Sequence, residues 1–251
     1  MTRSRLSPTV AVVLVLAACG GAGAETPSRE VLVSAAASLT DAFAEMKTAF
    51  ETANPDVDVV LNLGPSSGLR EQILEGAPAD VFASANTSNM DRVIEAGEVE
   101  GEAAVFATNL LQIAVRVGNP AVVTGLEDFD RDEILIGLCG EDVPCGEFAR
   151  RALADAGVTP AVDTNEPDVR ALLTKVEAGE LDAAIVYVTD VASTDGGVEG
   201  VDLPADQNVV AEYPIAVLAN APNPEAAAAF VDFVLSDQGQ AILTGYGFSS
   251  P

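Results

Sequence analysis

From Glu30 onward the chain alternates short apolar runs with segments whose apolar residues recur at helical spacing. No other feature constrains its fold as tightly. Residues 31–33 read as a strand, and Leu39, Phe43, Met46 and Phe50 then mark one face of a helix over 39–52. Strand-like 57–63, helical 69–74, strand-like 80–83 and helical 90–94 follow, then strands over 110–117 and 134–138. Helices are expected over 146–156 and 168–178, strands over 183–187 and 209–218, and closing helices over 224–235 and 238–246. Parallel strands need a crossover that a helix can supply, so this order dictates an α/β fold with largely parallel sheets covered by helices. Gly118-Asn-Pro120, Gly196-Gly197 and Ala221-Pro-Asn-Pro224 read as surface turns between these segments.

Residues 1–18 stand apart. Arg3 and Arg5 precede an apolar stretch over 9–18, the pattern of a secretory signal and too short to span a bilayer as a helix. The ending Leu16-Ala-Ala-Cys19 resembles a bacterial lipobox, which implies cleavage before Cys19 and lipid on its sulfur. Residues 19–29, rich in Gly and Ala, would then be a flexible tether holding a folded body at the cell membrane, on its extracytoplasmic face.

Charge and residue usage remove several classes of function. A formal net charge of -27 argues against nucleic acid and against docking on anionic lipid by charge. The chain has no histidine, which removes Ser-His-Asp and Cys-His catalysis and the commonest zinc ligand. Abundant Asp and Glu leave carboxylate chemistry open, although scattered acids more often form a solvated face. With Cys19 assigned to lipid, Cys139 and Cys145 remain, and two leftover cysteines in an exported chain suggest a disulfide. Their spacing is not C-x-x-C, which speaks against thioredoxin-like redox work; a bridge here would contribute on the order of 2 kcal/mol.

The stretch Ser34-Ala-Ala-Ala-Ser-Leu-Thr-Asp-Ala-Phe43 leaves its strand through bare alanines. Ser38 with Asp41 fits the S/T-x-x-[DE] capping signature; the same hydroxyl and the open N–H groups of a helix start also suit an anion. Similar starts recur at Ser66 in "GPSSGLREQI", Cys145 in "VPCGEFARRAL" and Val169 in "NEPDVRALL". Each carries unpaired N–H groups and about half a positive charge. Several converging at the carboxyl ends of strands would form an anion site without Lys or Arg.

The segments "VSAAASLTDAF", "GPSSGLREQILEGAPADVFASA", "VPCGEFARRAL", "DVRALLTKVEAGELDAAIVY" and "GYGF" resemble the periplasmic molybdate-binding proteins of ABC importers, in the same order and over about 30–248. The resemblance implies a type II periplasmic-binding-protein fold: two α/β lobes joined by a two-stranded hinge, closing over one oxyanion. Lobe 1 would comprise 30–108 and 218–251 and lobe 2 109–217, with 110–117 and 209–218 as the crossing strands. By position, Ser38 and Ser66 match the family's serine ligands, Cys145 and Val169 the residues that donate backbone N–H, and Tyr187 the tyrosine aimed at the ligand. Cys145 stands where many relatives have alanine; because only its N–H is used, the sulfur stays free for Cys139. Ser67, adjacent to Ser66, could take over its role.

The resemblance further implies a monomeric, non-enzymatic binding protein. It would capture molybdate, and tungstate with it, need no cofactor, and deliver the anion to a membrane permease. Sulfate or another tetrahedral oxyanion is the competing ligand, and an exported thiol/disulfide protein the distant alternative.

Overall fold

The computed structural model describes residues 29–251. The expected signal segment, Cys19 and the tether as far as residue 28 lie outside the described residues, while Arg29, counted with the tether above, opens the first strand. The first lobe begins with β1 (Arg29–Ala36), a 3-10 turn (Ala37–Leu39), α1 (Thr40–Ala53), β2 (Val57–Gly64), α2 (Ser66–Leu74), β3 (Val81–Ala83) and α3 (Thr87–Glu95). β4 (Val99–Arg116) leads into β5 (Ile136–Cys139), α4 (Pro144–Asp155), β6 (Thr164–Glu166), α5 (Val169–Glu177), β7 (Ala183–Tyr187), α6 (Val188–Ala192) and β8 (Val198–Asp202). The chain then returns through β9 (Val210–Leu218) to α7 (Pro224–Leu235) and α8 (Asp237–Gly245).

The strands form two sheets sharing β4. The first has the order β2-β1-β3-β9-β4, and the second continues β4-β7-β5-β6 with β8 also on β4. Pairing is parallel between β1 and both β2 and β3, and between β5 and both β6 and β7. It is antiparallel wherever β4 or β9 takes part, so each sheet is mixed rather than largely parallel. β4 is 18 residues long, well beyond the expected 110–117. Its Val99–Leu110 half pairs with β9 and its Leu111–Arg116 half with β7 and β8, which makes it a crossing strand between the lobes.

The return crossing differs from expectation. β9 pairs with β3 (Val81↔Val217) and with the first half of β4, so its ladder puts 210–217 in the first sheet rather than with 109–217. The switch comes just before it. Asn208 accepts from Leu111 N–H at 2.9 Å and donates to Leu111 C=O at 2.8 Å, continuing the ladder with a side chain on the edge where β9 has ended and β8 has not begun.

Each lobe has apolar residues between sheet and helices. Phe43 and Phe50 of α1 meet Phe230 of α7 edge-on, with centroids 6.1 and 5.3 Å apart, and Phe43 also packs against Phe106 of β4. In the second lobe Leu138, Leu172, Val176 and Ile185 are fully buried. The carboxyl ends of β1, β2, β5 and β7 lead directly into helix starts or tight turns, and these loops meet between the lobes.

Candidate anion-binding site

The loops enclose a small cavity of about 20 Å³, on the scale of one or two water-sized groups. Ala36, Ala37, Ser38, Gly64, Pro65, Ser66 and Ala85 line it from the first lobe, and Val143, Pro144, Cys145, Asp168, Val169 and Tyr187 from the second. All of Ser38, Ser66, Cys145, Val169 and Tyr187 are therefore brought together, and all are buried. The bare alanines of the opening stretch become intelligible: Ala36 and Ala37 form wall, and larger side chains there would fill the cavity. Ser67 is buried beside Ser66 but does not line the cavity, and among the described residues neither does any Lys or Arg.

Three of the helix starts that face the cavity lack side-chain caps. Leu39, Pro65 and Val143 occupy the N-cap positions of α1, α2 and α4, and none makes a side-chain cap hydrogen bond. Away from the cavity, α3 and α8 are capped by Asn86 and Ser236. Apolar caps leave first-turn N–H groups unpaired, which is costly in a buried place unless something else accepts them. α5 reaches the same result differently. Asp168 lines the cavity, but its Oδ1 accepts from Arg170 N–H and Ala171 N–H, both at 2.9 Å. The carboxylate is thus turned onto its own helix, and Val169 N–H, the first of that helix, is left over. At α4 a disulfide joins Cys139 at the end of β5 to Cys145. A Cβ on Gly146 would lie 2.0 Å from Gly140 O, so only glycine lets the helix start approach that strand end so closely.

The hydroxyls show a second pattern. Ser66 Oγ accepts from Ala85 N–H at 3.0 Å. Ser38 Oγ lies 2.9 Å from Tyr213 Oη. The capping box expected of Ser38 and Asp41 does not form: α1 starts at Thr40, whose hydroxyl donates back to Ala37 C=O at 2.6 Å, and Ser38 sits in the preceding 3-10 turn facing inward. Tyr187 Oη is buried and has no hydrogen-bond partner among the described residues. Burial pushes its phenol well above the ordinary value, with Tyr213, Asp190 and Glu147 adding to the effect, so it stays a donor.

Around the cavity the lobes are bridged twice. Arg170 of α5 pairs with Asp41 of α1, and its other nitrogen donates to Ser193 Oγ at 2.7 Å. On the opposite side, Glu147 of α4 accepts from Asn86 at 2.8 Å and from Ser88 at 3.3 Å. Behind Tyr187, Asp190 accepts its N–H at 3.1 Å, and Arg170 Nε lies 3.9 Å from the other carboxylate oxygen. Burial pushes the Asp190 carboxyl up to about 7 against the opposing pull of Arg170. Among the described residues no group of His, Cys, Asp and Glu is arranged to hold a metal cation.

Reasoning from the sequence missed Tyr213 and Ala85. Tyr213 lies within an apolar strand run and reads as core, and Ala85 contributes only its backbone; nothing local in the sequence marks either one.

The chain is similar in sequence and fold to known proteins. The pattern of the bacterial extracellular solute-binding protein family matches residues 31–249. A molybdate-binding protein ModA of Mycobacterium tuberculosis is 38% identical over 243 residues, covering 94% of this chain and 93% of the relative. Among solved structures, the substrate-binding domain of a putative molybdenum ABC transporter from Clostridium difficile aligns with a TM-score of 0.67 at 27% identity, over 89% of this chain and 100% of that one. The sulfate-binding protein SubI of M. tuberculosis aligns with a TM-score of 0.81 over 88% of this chain and 87% of its own, but at 21% identity it speaks for the fold alone. With its two mixed α/β lobes, the crossing strand β4 and these relatives, the chain belongs to the bacterial extracellular solute-binding protein family, in its ModA-type group, and has the type II periplasmic-binding-protein fold.

Proposed function

We propose that this chain captures molybdate, and tungstate with it, outside the cytoplasmic membrane and hands it to the permease of an ABC importer. The observation that carries the reading is the buried Tyr187 hydroxyl, without a partner among the described residues, in a cavity otherwise walled by helix starts and serine hydroxyls. Molybdate at neutral pH is a tetrahedral dianion with no proton to donate, so it suits a lining of donors in which the carboxylate of Asp168 is turned onto its own helix. A hydrogen bond to a charged group contributes about 1.5–3 kcal/mol, and several held in place by the fold bind tightly without a cation.

Ser38 and Ser66 are the hydroxyl ligands, Cys145 and Val169 the backbone N–H ligands, and Tyr187 the phenol ligand. Residues 30–110 with 210–251 close as one lobe over 111–209 as the other. The protein acts as a monomer, without cofactor or catalytic step, anchored by lipid on Cys19. Calorimetric titration of the exported protein with molybdate, tungstate and sulfate tests the reading. Tight binding of the first two and far weaker binding of sulfate is expected, because donors set for the longer Mo–O bonds hold sulfate loosely. Equal affinity for sulfate, or no heat with molybdate, overturns it.

A further inference from the structure

Ser38 and Tyr213 are 175 residues apart in sequence, yet their oxygens lie 2.9 Å apart in a buried place. A single hydrogen lies between them, and each group carries one O–H, so either can donate. Ser66 on the same wall has no such freedom. Its oxygen accepts from Ala85 N–H, which can only donate, so the Ser66 proton must point elsewhere, and the cavity is where it lies open.

We propose that Tyr213 is a positioning residue for the bound oxyanion: its phenol donates to Ser38 Oγ and thereby turns the serine proton into the cavity. The inference rests on the oxyanion reading above and extends it to a residue that does not line the cavity. In the reverse arrangement Ser38 would spend its proton on Tyr213 and present lone pairs to a dianion. A phenol is also the more acidic hydroxyl, which favours it as the donor. Burial raises the Tyr213 phenol further above its ordinary value, so the hydrogen is retained.

The ring is held so that the hydroxyl cannot swing away. Tyr213 is fully buried on β9 and meets Phe106, Tyr187 and Phe248 edge-on, with centroids 6.3, 6.2 and 5.4 Å away. Accepting from Tyr213 polarises the Ser38 hydroxyl and strengthens its own donation to the anion. The two serines are thus fed from behind, one by a backbone amide and the other by a phenol.

A double-mutant cycle in the full exported protein, read by titration with sodium molybdate, tests this. Tyr213→Phe keeps the ring and should weaken binding about tenfold when Ser38 is present. In the Ser38→Ala background the same change should leave affinity unaltered, because the serine through which Tyr213 acts is gone. An equal loss in both backgrounds would mean that the hydroxyl merely shapes the pocket, and that result or an unchanged affinity in Tyr213→Phe overturns the proposal. Should Tyr213→Phe fail to fold, 3,5-difluorotyrosine at 213 keeps the hydroxyl and donates more strongly. It should tighten binding severalfold, and unchanged or weaker binding overturns the proposal. If the wild-type protein does not bind molybdate, the oxyanion reading falls and this proposal with it; wild-type binding with uncoupled losses overturns only the role of Tyr213.

Discussion

Ser38 and Ser66 face the cavity with side-chain hydroxyls, each supplied with a hydrogen bond from behind, whereas Cys145 and Val169 across from them have only backbone N–H groups to offer. The first wall is made of protons that can turn and are steered by neighbours. The second is fixed by the backbone: a disulfide and a close-packed glycine hold the start of α4, and a carboxylate cap fixes the start of α5. Among the described residues, Tyr187 is the one side chain that the second wall contributes as a donor. Side-chain chemistry should therefore matter on the first wall and at Tyr187, at Cys145 only through its bridge to Cys139, and hardly at all at Val169.

The largest effect expected lies behind the second wall. Asp190, with its carboxyl pushed up to about 7 by burial, holds its proton in the folded protein to higher pH than the unfolded chain does from its ordinary 3.8. As pH rises from about 4 to about 7 the unfolded state releases that proton first, so folding stability falls across this window. Asp190→Asn keeps an acceptor for Tyr187 N–H and has no proton to lose. Denaturant unfolding should show the variant gaining on the wild type by up to about 4 kcal/mol between these pH values, and a constant difference would mean that Asp190 is ionised throughout.

Tyr187→Phe should come next, weakening molybdate binding by roughly ten- to a hundredfold at unchanged fold, the worth of one hydrogen bond to a charged group. Unchanged affinity would mean that the Tyr187 hydroxyl is not a ligand. Reducing the Cys139–Cys145 bridge should cost on the order of 2 kcal/mol, seen as a Tm lower by several degrees, and should weaken binding by loosening the start of α4. A lower Tm at unaltered affinity would show that the helix start holds its place without the bridge. Ser66→Ala should cost about tenfold in affinity and Ser67→Ala less than twofold. Equal losses would move the role one residue along α2. The smallest effect belongs to Val169→Ala, which keeps the N–H; titration should find it within about threefold of the wild type.

The periodic segments were legible in the sequence because their causes are local. The strand expected over 183–187 and the helix over 224–235 are found at those bounds. So was the cast of the pocket, since Ser38, Ser66, Cys145 and Val169 each sit beside a helix start with recognisable punctuation. What stayed hidden depends on distant pairing. The first half of β4 is broken by Glu100, Gly101 and Glu102 and by register shifts against β9, so it shows no alternation to read. Ser38 fits a capping signature that tertiary structure overrides, because Tyr213, brought in by the last strand, offers the hydroxyl a better partner than the helix does. Asp41 is likewise drawn to Arg170 across the cleft.

The position of β9 has a consequence for how the chain acquires its shape. It lies between β3 and β4 in the first sheet, although about a hundred residues of second lobe separate it from β4 in the sequence. Until β9 arrives, β3 and β4 face an empty slot with unpaired backbone groups on both edges, the kind of surface that templates pairing with other chains. The second lobe is a continuous stretch and can assemble from nearer contacts; the first must wait for β9 and the two helices after it, and such long-range pairing is slow. For a chain emerging amino-terminus first, the lobe that begins the sequence is the one completed last, and the window in which it is vulnerable to misassembly closes only when residues 210–218 have passed through.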